Sequence, residues 1–178
     1  MGQTTVLTSL VPAVEGLIAD DGRDMNFASY VNQEASNTLP FGRMVMQGAQ
    51  DLGDNLLTAG NVLKIVGLVT YSSAFQVGNE LASVADANGK FGLMPGTMHN
   101  LMKRGRAWVL CEEAVTPAST VRVRCTAAGN GQGSFRTTSA GGGLSMVLTG
   151  ARYLDTAAIG GYSRVELDVL GRNTWTAD

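Results

Sequence analysis

Two stretches near the C-terminal half alternate strictly between apolar and charged residues. Val121, Val123 and Cys125 alternate with Arg122 and Arg124, and Val165, Leu167 and Val169 alternate with Arg164, Glu166 and Asp168. A period of two places each apolar set on one face of a strand and the charges on the other. Two-faced strands of this kind belong to antiparallel sheets with one face in a core and one toward water. Further short runs rich in Val, Leu and aromatics lie at 105–111, 133–138 and 144–149, making five predicted strands with 120–126 and 162–170. Gly129-Asn-Gly-Gln-Gly133 is a turn signal between two of them, and Gly141-Gly-Gly143 a loop tip or hinge. Upstream, 39–47 alternates as a strand, and the near-continuous apolar character of 61–71 predicts a strand buried on both faces. The expected fold class is mainly β, a small β-barrel or β-sandwich with an extended N-terminal arm.

The expected division is an arm over 1–38 wrapping a neighbouring surface, a β domain over 39–170, and a polar tail over 171–178. Within the arm, Leu10, Val14, Leu17 and Ile18 fall at helical spacing, with Ser9 a cap and Pro12 in the first turn, so one or two docking turns are expected. Residues 23–38 are mixed and polar with isolated Phe27, Tyr30 and Val31, the composition of a segment that wraps over a surface, its own or a neighbour's. Residues 48–60 read as a loop, 81–87 is ambiguous, and 93–103 carries Met94, Met98, Leu101 and Met102, residue types common at contacts.

Composition narrows the function classes. Of 178 residues 23 are glycine and the formal net charge is −2, which suits many turns and a surface partly covered by neighbours. There is no basic stripe of the kind nucleic-acid binding requires. No segment reads as a signal peptide, Val6 stands where a myristoylation signal wants Ser or Thr, and the apolar run 62–69 is too short to span a bilayer. The expectation is a soluble protein made in a cytoplasm, with no membrane partner. Cys111 and Cys125 are read as buried free thiols or, in an oxidising compartment, as a disulfide.

The search for chemistry finds no catalytic centre. His99, the only histidine, has no triad signature around it and reads as a surface or satisfied loop histidine. Glu112 and Glu113 are adjacent on a strand, point to opposite faces, and read as a solvated edge. Asp51, Asp54 and Asn55 lack calcium-loop spacing, and the glycine-rich segments are not P-loops. No catalytic, cofactor or metal residue is assigned. Arg122 and Arg124, with Arg104 and Arg106 upstream, form the densest basic patch, either a solvated sheet face or a salt-bridging surface toward an acidic neighbour. A non-enzymatic structural or binding role follows.

The order of several motifs resembles the capsid cement, or head decoration, proteins of tailed phages with HK97-like capsids. The residues are Pro12-Ala-Val-Glu-Gly-Leu-Ile-Ala-Asp20, Leu39-Pro-Phe-Gly-Arg-Met-Val45, the strand Leu63 to Thr70 with Gly67, Gly105-Arg-Ala-Trp-Val-Leu110, Ser119-Thr-Val-Arg-Val-Arg124, Gly133-Ser-Phe135, Ala151-Arg-Tyr-Leu, and 157–169. The resemblance implies a small β-barrel or sandwich with an N-terminal arm, on the capsid exterior across capsomer junctions. It implies the major capsid protein and the chain itself, as dimer or trimer, as partners, and no cofactor. The contact candidates under this reading are Pro12, Val14, Leu17, Ile18, Phe27, Tyr30, Arg122 and Arg124. The alternative is a carbohydrate-binding β-sandwich on the virion surface or tail, using Trp108 or Trp175; a small hydrolase centred on His99 ranks last.

Overall fold

A computed structural model describes residues 15–19, 25–35, 38–58, 65–71, 83–85, 91–127, 131–139, 141, 144–169 and 175–177. The strands in chain order are β1 (Asn26–Asn32), β2 (Leu39–Pro40), β3 (Met44–Gln47), β4 (Gly53–Leu56), β5 (Ile65–Val69), β6 (Ser83–Ala85) and β7 (Phe91–Leu93). They continue with β8 (Met98–Leu110), β9 (Arg122–Arg124), β10 (Phe135–Arg136), β11 (Ser145–Leu148), β12 (Arg152–Tyr153), β13 (Tyr162–Asp168) and β14 (Trp175–Ala177). No helix occurs among the described residues.

The largest sheet runs β1-β4-β3-β5-β8-β13-β12, and β1 also pairs with β8. That extra pairing closes β1, β4, β3, β5 and β8 into a five-stranded barrel. Alternation along the strands sorts side chains into two cores. Tyr30, Val45, Val69 and Leu101 point into the barrel with Phe41, Leu39 and Leu93. The last two come from a separate three-stranded sheet, β2-β7-β6. Met44, Leu68 and Met102, one position away on the same strands, face outward into a larger core. There they meet Val123, Phe135, Met146 and Leu148 from a second sheet, β10-β9-β11-β14, and Ala107, Val109, Val165 and Leu167 from the far half of the first. β5 is therefore buried on both faces, as its apolar run predicts.

Several elements differ from the sequence reading. The helical turns expected around 10–18 do not form in the part described: Glu15 and Gly16 make a turn with Gly16 at φ +80°, and Ile18 bridges Ala107. Residues 10–14 lie outside the described residues. Within the expected arm, 26–32 is the barrel strand β1, which thus covers its own chain. Its inward positions are Ala28, Tyr30 and Asn32 rather than Val or Leu, so the period of two carries little apolar signal. β4 lies in the segment expected as a loop, because Gly53-Asp54-Asn55 has turn composition. β8 starts seven residues before the predicted strand at 105. β14 in the expected tail pairs with β11.

Phe135 joins these parts: it is fully buried, opposite Val123 and bridged to Cys111. Phe135→Ala should cost about 3–5 kcal/mol, seen as a lower urea midpoint with little change of slope. A loss below about 1 kcal/mol would mean that the core collapses around the vacancy.

Candidate interaction surface

The chain enters the described fold at Glu15, and residues 16–19 lie along β8. The Gly16 amide donates to Trp108 O (2.8 Å), the Trp108 amide to Leu17 O (2.8 Å), and the Ala19 amide to Arg106 O (2.9 Å). The Tyr71 amide donates to Gly16 O (2.8 Å), continuing the line of β5. In an antiparallel bridge bonded through its neighbours, the central residue turns its own N–H and C=O away from the partner strand. Ile18 is that residue, so this end of the sheet presents an outward-facing backbone edge. Leu17 and Ile18 are each 37% exposed on it. The other exposed large apolar side chains described are Leu52, Met98, Leu144 and Ile159.

Below this edge Glu15 meets Arg43. Arg43 Nε lies 2.9 Å from Glu15 Oε1, and the arginine side chain is 1% exposed. The backbones touch as well: Gly16 (φ +80°) and Gly42 (φ +71°) are apposed, and a Cβ on Gly16 would lie 2.6 Å from Gly42 N. Only glycine allows both the left-handed backbone and that approach.

Glu112 and Glu113, expected as a solvated edge, are anchors instead. Glu112 takes Arg124 Nε (3.0 Å) and Nη2 (2.7 Å) and the Ser134 hydroxyl (2.7 Å). Glu113 takes Arg136 Nη2 (2.8 Å), the Thr137 and Thr138 amides (both 2.8 Å) and both their hydroxyls (2.9 and 2.6 Å). Both lie in a bend after the end of β8 rather than on a strand, and they share one cation, since Arg136 Nη1 also stands 3.9 Å from Glu112 Oε2. Burial alone would raise the Glu113 carboxyl, but hydrogen bonds from the Thr138 and Thr137 hydroxyls and amides outweigh it and hold the pKa at about 2. Glu113 thereby fixes the base of the loop that leads to Gly141. Arg124, paired to Glu112, has its pKa raised by that bond.

The predicted basic patch is divided between two sheets, and Arg104, Arg106 and Arg124 are matched with acids. On the β8–β13–β12 face, Arg104 pairs with Asp168 (3.2 Å), Arg106 with Glu166 (3.0 Å) and Arg152 with the same Glu166 (2.6 Å). Arg164 binds both oxygens of Asp155 at 2.7 Å and stands 5.7 Å over the Trp108 ring, covering that face of the indole. Arg122 lies half-buried on β9, opposite Arg136 and Val147.

The remaining candidates are enclosed. His99 is not in a loop: it sits on β8, fully buried, with Nε2 2.9 Å from Asp54 Oδ2 and Nδ1 3.2 Å from Thr97 O. The pair links β4 to β8 behind β1, so Asp54 faces the barrel rather than an external ion. Cys111 and Cys125 are free buried thiols, and burial pushes Cys111 up to about 11, which leaves it unreactive. Of the contact candidates, Pro12 and Val14 lie outside the described residues. Phe27 is half-buried against the larger core, and Tyr30 is buried in the barrel with its hydroxyl accepting from Lys103 (3.1 Å). Arg124 is engaged with Glu112, while Leu17 and Ile18 stay at the surface. The ion pair of Glu15 and Arg43 beside this strip escaped sequence reasoning.

The sequence matches the family model described as "Structural cement protein (E217 gp24/Pam3 gp6)" over residues 2–168. The chain belongs to this phage cement family. Among solved structures, a chain from "The capsid of Myoviridae Phage XM1" shares the fold, with TM-score 0.64 and 16% identity over 94% of this chain and 97% of that one. Among curated proteins none matches. The cement protein is accordingly a structural component of the virion that binds and stabilises the capsid. For such a protein the edge at Leu17 and Ile18 and the Glu113-held loop are features of its surface.

The lowered pKa of Glu113 has a testable sign. A carboxyl at about 2 when folded and near the ordinary glutamate value of 4.5 when unfolded stabilises the fold above pH 4.5, and that contribution is lost as pH falls toward about 2. Glu113→Gln should lower the melting temperature at neutral pH and flatten its fall across this window. An unchanged acid limb in thermal melts would contradict the assignment.

Proposed function

We propose that the cement protein binds the exterior of the assembled shell across capsomer junctions, contacting the major capsid protein, as a homo-oligomer (dimer or trimer) and without catalytic turnover. The chain is made in the host cytoplasm in this reading and joins the shell there. The observation that carries it is the Leu17–Ile18 strip: two exposed apolar side chains on an outward-facing strand edge, held by a rigid sheet. Such an edge offers main-chain hydrogen bonds to an extended segment and apolar contact to its side chains. The capsid origin of the structural neighbour supports the setting.

The gripping segment in this reading is the part of the chain before β1, with Pro12 and Val14 continuing the contact begun by Leu17 and Ile18. Burying what remains exposed of two such side chains contributes on the order of 2–3 kcal/mol. That is weak for one copy, but many copies on a symmetric lattice, each bridging two subunits, add avidity. Binding to the closed shell and not to its separated subunits stabilises the closed state by linkage.

Removing residues 1–38 would take β1 out of the barrel, so the test is by substitution. Leu17→Asp with Ile18→Asp should leave the melting temperature of the free protein nearly unchanged. It should weaken co-sedimentation with expanded shells lacking the protein by about tenfold or more. Unaltered occupancy would remove this strip from the interface.

A further inference from the structure

The Glu15–Arg43 pair is poorly built as a stabilising interaction. Arg43 is 1% exposed, its Nε near Glu15 Oε1 is not aligned as a hydrogen bond, and its buried Nη2 has no partner. Nη1 reaches only Gly131 O, at 3.5 Å. Buried ion pairs of this quality are often replaced by apolar residues of similar volume with no loss of stability, whereas removal of one partner leaves a buried charge uncompensated. Stability therefore does not account for an arginine here.

Position does. Residues 16–19 are a very short strand addition, held by main-chain bonds that any register would satisfy. A slip of one residue would exchange the faces on which Leu17 and Ile18 lie. The Gly16–Gly42 apposition lets the two segments touch and already penalises a slip that would bring a Cβ to the contact, and a charged pair beside it adds to that selection. Glu15 and Arg43 flank that apposition, one on each segment. Any slip separates them and strands Arg43 in the interior.

We infer that Glu15 and Arg43 are positioning residues: their ion pair fixes the register of residues 16–19 on β8 and so determines how the Leu17–Ile18 strip is presented. The inference rests on the proposed role of that strip in capsid binding. Its two parts separate experimentally.

The test uses the full chain with Arg43→Met, and Glu15→Gln as a second variant that keeps the arginine. Melting temperature, amide exchange and shell co-sedimentation are measured. Arg43→Met leaves only Glu15, the more exposed partner, uncompensated and should melt close to the wild-type temperature. The amides of Gly16, Ala19, Tyr71 and Trp108 should exchange at least about tenfold faster than in wild type, while the barrel amides stay protected. Shell affinity should fall by about tenfold. Glu15→Gln should speed the same amides without global unfolding. Unchanged exchange at these amides in both variants would overturn the inference, as would faster exchange no greater than that of the whole domain. If Leu17→Asp/Ile18→Asp binds shells as wild type does, the contact reading fails, and the exchange data still decide whether the pair sets the register.

Discussion

Everything in this molecule hangs on one thirteen-residue strand, β8. At roughly 3.3 Å per residue it extends about 40 Å. Its first half pairs with β1 and β5 and so closes the barrel; its second half pairs with β13 on one edge and with residues 16–19 on the other. Leu101 faces the barrel core, whereas Met102, Ala107 and Val109 face the larger one. One strand can serve both because it is irregular between its halves. The register with β1 skips a residue opposite Asn26 and Phe27, and Gly105 there has φ +139°. A bulge of this kind bends a strand and re-aims its side chains, here from a closed barrel to a layered sheet.

The distribution of charge follows from the same architecture. β8 and β13 run side by side over seven register pairs, so alternating charges along each meet across the strands. The outcome is a ladder of Arg104–Asp168, Arg106–Glu166–Arg152 and Arg164–Asp155. Exposed pairs of this sort add little stability individually. Together they set three carboxylates against four arginines and so offset most of the positive charge on this face. The Glu112–Arg124 and Glu113–Arg136 pairs are more enclosed and tie the loops after β8 and β10 to the body.

The sequence made the two-faced strands legible wherever apolar and charged residues alternate strictly, as in 121–125 and 164–169. It also revealed β5, whose burial on both faces leaves it apolar throughout. The missed elements lack that signal. β1 fills its inward positions with Ala28, Tyr30 and Asn32, and β4 is written in turn residues because Gln33 packs against Gly53 and its Asp54 answers a buried histidine. Barrel closure by β1 is a long-range pairing that no local pattern announces. The surface was only half readable for a similar reason. The exposure of Leu17 and Ile18 depends on Glu15 finding Arg43 across 28 positions of sequence, and the basic patch dissolved because its acids lie 12 to 64 positions away.

The central claim is that this fold stabilises a closed capsid by binding it. The direct measurement is the rupture temperature of expanded shells lacking the protein, titrated with purified chain. Saturable binding accompanied by a rise in rupture temperature that levels off at the same stoichiometry is the predicted result. Saturable binding with an unchanged rupture temperature would contradict it, because a ligand that prefers the closed shell must stabilise it.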